Sequence, residues 1–258
     1  MAILWPNCDD WCGELANLRS SLKRAGVDAL PLVSVKCTPS GVVACRASVA
    51  VHRPRVGVSL EDILGVVGWE LPGSARSQIT PLINEPDLIE YVHFGLERRD
   101  LQVTRKLYLA FTPRATALPE AGSLDPVVLL VALKWNPARV EQWRISRYCD
   151  GDAFMVDRMA AAVQLSDDAE WTQAAAELLA AMTWHVGEEG DVLLVEDEDS
   201  PRWSIDARVG TLSVTSERCV EEWLARYNLD RGSDSYTVLR IAAGIAEDHS
   251  PFITIYGR

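Results

Sequence analysis

A strand–loop–strand pattern occurs twice in this chain, about half its length apart. The first copy covers residues 92–100 and 103–109, the second residues 239–249 and 252–257. Each copy has an apolar strand with a glycine toward its end (Gly95, Gly244), a charged turn, and a second strand carrying a tyrosine among aliphatics. Successive side chains of a strand point to opposite faces. That alternation sets Lys106 and Tyr108 on one face, with Leu107 and Leu109 on the other. Thr254 and Tyr256 lie the same way, opposite Ile253 and Ile255. A β-protein that turns aliphatics outward and Lys and Tyr inward describes a polar, aromatic cavity.

Hydrophobic periodicity extends this pattern into five helix–strand–strand units. The first has a helix over 9–25, where Trp11, Leu15, Leu18 and Leu22 recur at helical spacing, and strands over 29–37 and 42–52. The second has helical stretches over 59–69 and 74–84, then strands over 88–97 and 102–111. In the third, Asp125-Pro126 reads as a helix start, the run 127–135 as the helix or equally a strand, and 140–149 and 153–163 as strands. The fourth has a helix over 168–184 and strands over 191–196 and 202–209. The fifth has a helix over 216–228 and strands over 235–246 and 251–257. These units predict one α+β domain spanning 1–258: a closed antiparallel barrel of about ten strands, ringed by helices. Closure removes exposed strand edges, and ten strands leave a wider interior than the eight that side chains just fill.

Composition excludes several classes of function. A net charge of −12 argues against a nucleic-acid binder, which needs a basic footprint. The six cysteines include no Cys-x-x-Cys pair, and Cys8 and Cys12 lack nearby histidines. They read as small thiols in a reducing cytoplasm rather than as a zinc site. The N-terminal residues show neither the basic start nor the apolar core of a signal peptide, and no apolar run is long enough for a membrane-spanning helix. The expected setting is cytoplasmic, without a membrane partner.

The second strands of the five units can be aligned. They place Arg46 before Ser48, Lys106 before Tyr108, Arg158 before Ala160, Arg208 before Gly210 and Thr254 before Tyr256. Four of the five carry a cation where the fifth carries Thr. If all point inward, several cations and two phenols converge, an arrangement that is stable only with an anion between them. A diphosphate has the right charge and size, with Arg giving bidentate donors and Lys a mobile point charge. The plainer alternative makes Arg46, Arg158 and Arg208 solvated charges or members of ion pairs. It makes Tyr108 and Tyr256 barrel-filling aromatics with satisfied hydroxyls.

The five-unit organisation, the Lys106–Tyr108 strand and the strand from Phe252 to Tyr256 resemble the ABBA-type aromatic prenyltransferases, or PT-barrel enzymes. The resemblance covers almost the whole chain in architecture and implies a metal-independent prenyltransferase. Such an enzyme would move a dimethylallyl or geranyl group from its diphosphate to an aromatic small molecule or a peptide side chain. By that resemblance Arg46, Lys106, Arg158 and Arg208 hold the diphosphate, and Tyr108 and Tyr256 shield the allyl cation. The Arg158 and Arg208 strands depart from the family pattern, having Ala160 and Gly210 where an aromatic is expected. No Asp-Asp-x-x-Asp magnesium cluster occurs. The pairs Asp9-Asp10 and Asp167-Asp168 stand at predicted helix starts, where capping accounts for them. Protein cations would then replace the metal, and no cofactor is required.

Attack on an aromatic ring also needs a base. Fungal indole members use a Glu on or near the first strand, where this chain has Lys36 as the nearest charge. His93 and Glu97 share a strand face and are the candidates, with a satisfied core histidine as the alternative for His93. The short chain, with little before its first helix, slightly favours a peptide acceptor. Two competing readings are a non-catalytic barrel that binds an anionic ligand and an acidic interaction protein.

Overall fold

The computed structural model of the chain describes residues 9–27, 29–52, 59–84, 88–99, 102–112, 127–229 and 237–258. In chain order these form α1 (Asp9–Arg24), β1 (Leu30–Thr38), β2 (Gly41–His52), α2 (Leu60–Val67), α3 (Gly73–Asn84), β3 (Ile89–Arg99) and β4 (Gln102–Phe111). Then come β5 (Val128–Asn136), β6 (Arg139–Asp150), α4 (Met155–Val163), α5 (Ala169–Ala180), β7 (Val192–Asp197), β8 (Trp203–Arg208), α6 (Val214–Ala225), β9 (Val238–Ile245) and β10 (Pro251–Gly257). The strands form a closed antiparallel barrel in the order β1-β10-β9-β8-β7-β6-β5-β4-β3-β2, with the helices around it. Among the described residues no helix is long and apolar enough to cross a membrane.

Two compact units divide the described chain, one comprising Asp9–Leu32 and Arg46–Tyr148, the other Val33–Cys45 and Cys149–Arg258. In the first, β3 pairs with β4 and β4 with β5, in a register that alternates between faces from Tyr91 onward, after an irregularity between Ile89 and Tyr91. Val92, Phe94, Leu96, Leu107, Leu109, Leu133 and Trp135 form one buried face. Trp69, just past α2, closes edge-on against Phe94 at 5.2 Å and Trp135 at 5.5 Å. Such edge-to-face pairs contribute about 0.5–1.5 kcal/mol each beyond the area they bury. Helix α2 is delimited by its own sequence. Ser59 and Asp62 make a reciprocal capping box, and Gly68 ends it in the left-handed conformation at φ 66°. Arg105 lies over the Trp69 ring at 5.3 Å and reaches Glu14 of α1 at 3.0 Å.

In the second unit the register runs through β7, β8, β9, β10 and β1. Ile205, Ala207, Ile241, Ala243, Ile253, Ile255 and Val35 make its buried apolar face. Helix α4 packs on β8, β9 and β10, and α5 and α6 follow it. Asp168 caps α5 by accepting from the Trp171 N–H, and Ser213 caps α6 by accepting from Ser216. Trp171 and Trp223 pack at 5.7 Å, and the Trp171 indole donates to the Tyr227 hydroxyl at 2.8 Å.

In the third helix–strand–strand unit one open alternative is decided and one expectation is corrected. Residues 127–135, read as a helix or equally a strand, lie almost wholly in strand β5, which starts at Val128. The expected strand over 153–163 is instead the helix α4, whose buried Met159, Ala162 and Val163 follow helical spacing. The strand at β5 replaces the one expected over 153–163, so the described strands still number ten. The helix start expected at Asp125-Pro126 lies outside the described residues, as do Cys8 and the first residues of the strand expected over 235–246.

Candidate active site

The polar face of the first unit follows directly from the strand register. Opposite the Trp69-covered face, Tyr91, His93, Gly95 and Glu97 of β3 align with Ala110, Tyr108, Lys106 and Thr104 of β4. Lys106 and Tyr108 in turn stand opposite Lys134 and Ala132 of β5. Lys106 and Lys134 are both buried, at 5% and 3% exposure. Like charges placed directly opposite on neighbouring strands are destabilising, and burial strengthens the repulsion. Glu97 offsets part of it. Its carboxylate takes an ion pair from the Arg46 Nε at 2.6 Å and another from the Lys106 ammonium. Arg46, Glu97 and Lys106 therefore form one charged cluster on β2, β3 and β4.

Beside the cluster runs a row of rings. His93 and Tyr108 have centroids 6.1 Å apart, and Tyr108 and Tyr148 also 6.1 Å. Tyr91 lies 6.2 Å from His93 and 4.7 Å from His52. The Tyr108 ring lies across Gly95, where an added Cβ would meet Tyr108 Cε2 at 3.1 Å and Lys106 Cβ at 3.3 Å. The glycine in the repeated sequence pattern thus makes room for the tyrosine.

Burial lowers the His93 imidazole from 6.5 to about 4, so it is neutral at physiological pH. Between those values the unfolded chain binds a proton that the folded chain does not. This contribution to stability is complete above pH 6.5 and is lost as pH falls through 4. His93→Gln is expected to flatten that limb of the pH–stability curve, measured by denaturant titration at several pH values. An unchanged limb would contradict the assignment.

The other expected site residues belong to the second unit. Arg158 was expected on an inward strand but lies on α4, exposed, with its guanidinium 4.9 Å over the Trp203 ring. The plainer reading of a surface cation fits it. Arg208 ends β8 with its side chain half-exposed and 3.6 Å from Asp191. Its register partner Arg240 is held by the Asp206 carboxylate at 2.5 Å and by the carbonyls of Gly190, Asp191 and Asp206. Those bonds make Arg240 a structural staple. Tyr256 belongs to the second unit, opposite Ser34 of β1 and Arg240 of β9. Thr254 shares that face with it, and Ile253 and Ile255 are buried on the other, as the alternation predicts. Lys36, register partner of Thr254, sets its ammonium 3.7 Å from the Phe252 ring centroid.

Glu97, one of the two expected bases, has its carboxylate committed to two cations. Lys134 and Tyr148 were missed. Lys134 was hidden because its run was read as a helix or equally a strand, with no face assigned; read at period two, Ala132, Lys134 and Asn136 alternate with Leu133 and Trp135. Among the described residues no group of three or more His, Cys, Asp or Glu side chains could hold a metal ion.

No protein-family model matches the sequence, and no curated protein matches it significantly. Solved structures do resemble the fold. The 5-dimethylallyltryptophan synthase of Streptomyces coelicolor superposes with a TM-score of 0.57 at 17% identity, covering 88% of this chain and 80% of its own. AnaPT of Neosartorya fischeri gives a TM-score of 0.55 at 12% identity, covering 88% and 77%. The ten-strand closed order and these superpositions agree: the chain has the fold of the ABBA, or PT-barrel, prenyltransferases.

Proposed function

We propose that this protein, acting as one barrel domain over residues 1–258, is a prenyltransferase. It takes a dimethylallyl or geranyl diphosphate and an acceptor that is either an aromatic small molecule of the tryptophan type or a side chain of a peptide. The observation that carries the reading is the pair of buried lysines, Lys106 and Lys134, with Arg46 close by and a row of aromatic rings on the same face. Similarity of fold to a dimethylallyltryptophan synthase supports it.

The chemistry matches the groups present. The allylic C1–O bond breaks and its electron pair leaves on the diphosphate oxygen, where Arg46, Lys106 and Lys134 stabilise the developing charge. The allyl cation is left beside the Tyr108 ring, and cation–π attraction stabilises it there. Acceptor π electrons then form the new C–C bond, and the ring proton leaves to a base. The cationic adduct is a strong acid, so a neutral imidazole of low basicity suffices, and His93 is the proposed acceptor of that proton. The protein cations take the place of a magnesium ion, so turnover is expected to persist in EDTA.

The test is incubation with C5 and C10 allylic diphosphates, in EDTA, against free tryptophan and peptides carrying Trp, Tyr, His or Arg. Mass spectrometry should detect a prenylated product with at least one acceptor. Diphosphate binding without product from any acceptor would favour the non-catalytic binding barrel. Activity that vanishes on chelation and returns with magnesium would contradict the metal-free reading.

A further inference from the structure

Within the charged cluster one atom has a double duty. The same oxygen of Glu97, Oε2, meets both the Arg46 Nε and the Lys106 ammonium. A single oxygen shared by two cations is the contact that a bridging phosphoryl oxygen would make. Glu97 reaches it from two residues beyond Gly95, the register partner of Lys106, and its side chain keeps 19% exposure while Lys106 keeps 6%. The carboxylate is thus the more accessible member of the pair.

We propose that Glu97 is an internal counter-anion: it holds Arg46 and Lys106 when the site is empty and is displaced by the diphosphate. The inference rests on the anion-site reading above. Two anions cannot share the same two cations without strong repulsion at reduced dielectric, so ligand binding requires the carboxylate to leave. Its return after the C1–O bond breaks competes with pyrophosphate and speeds product release. Glu97 is therefore a positioning residue that sets donor affinity and release, not a base.

Glu97→Gln keeps the size of the side chain and removes the charge. Titration of inorganic pyrophosphate into the metal-free protein, followed by calorimetry, should show binding at least tenfold tighter in Glu97→Gln than in the wild type. Donor KM and the pyrophosphate inhibition constant should fall together, and kcat should fall where release limits turnover. Glu97→Asp, which keeps the charge but shortens the reach, should bind pyrophosphate with an affinity between the two. It provides a second readout if Glu97→Gln folds poorly. Pyrophosphate binding that Lys106→Ala abolishes but Glu97→Gln leaves equal or weaker would overturn the counter-anion role and leave the anion site standing. No binding by any of these proteins would overturn both.

Discussion

Gly244→Ala is expected to yield no folded protein. Gly244 of β9 faces Ser204 of β8 and Phe252 of β10 in register. A Cβ there would lie 2.5 Å from the Ser204 Cα and press on the carbonyl oxygen of Trp203. The obstacles are backbone atoms, so no rotamer change relieves them, and β8 and β9 would have to part. Strand separation in a closed barrel breaks ladder hydrogen bonds on both sides. Single substitutions that cost more than about 4 kcal/mol are exceptional, and that is a large part of the roughly 5–15 kcal/mol holding a domain together. Gly95→Ala makes the comparison, because its nearest obstacles are the side-chain atoms Tyr108 Cε2 and Lys106 Cβ, beyond 3.0 Å. That variant should fold, with Tyr108 displaced. Circular dichroism and thermal melting separate the two, and a Gly244→Ala protein with a near-native Tm would contradict the packing described.

Lys106→Ala is expected to lower kcat/KM by about ten- to a hundredfold, since a hydrogen bond to a charged group contributes about 1.5–3 kcal/mol. Removing Lys106 also leaves Glu97 on the cluster with one cation fewer, which opposes an incoming anion further. Lys134→Ala should lower kcat/KM in the same direction, because Lys134 stands directly opposite Lys106 on the same face. Tyr108→Phe keeps the ring and should cost less than Tyr108→Ala, which removes the aromatic face and admits water. The neighbour Leu107 provides the control. It is fully buried on the other face, so Leu107→Ala should cost roughly 2–5 kcal/mol of stability with little selective effect on donor affinity. Steady-state kinetics on folded variants decide the matter; equal kcat/KM for Lys106→Ala and wild type would remove Lys106 from the site.

The barrel was legible because two strong strand pairs repeat. Lys106 and Tyr108 against Leu107 and Leu109 fix the faces of β4, and Ile253 and Ile255 do the same for β10. A one-residue slip would have exposed those aliphatics, so the register was specified by the pattern itself. The middle of the chain was less legible. Val128 to Val131 is an unbroken apolar run, and such runs do not distinguish a strand from a buried helix. Residues 155–163 carry both an alanine run favouring helix and an alternation that can be read as strand, and packing of Met159, Ala162 and Val163 on the barrel decides for the helix. Arg158 was misplaced with that segment, and Lys134 was lost with the other. The Arg46–Glu97–Lys106 cluster was half legible: its residues were each singled out, but their pairing joins positions 46 and 97, a long-range contact that no local pattern reports.

The face carrying Arg46, Lys106 and Lys134 is proposed to bind the diphosphate of an allylic donor. A calorimetric titration with a non-ionising thiolodiphosphate analogue of dimethylallyl diphosphate, in EDTA, tests it most directly. One-to-one binding is expected for the wild type and for folded Leu107→Ala, and binding at least tenfold weaker for Lys106→Ala. Equal affinity in the wild type and Lys106→Ala, or no binding by the wild type at all, would contradict it.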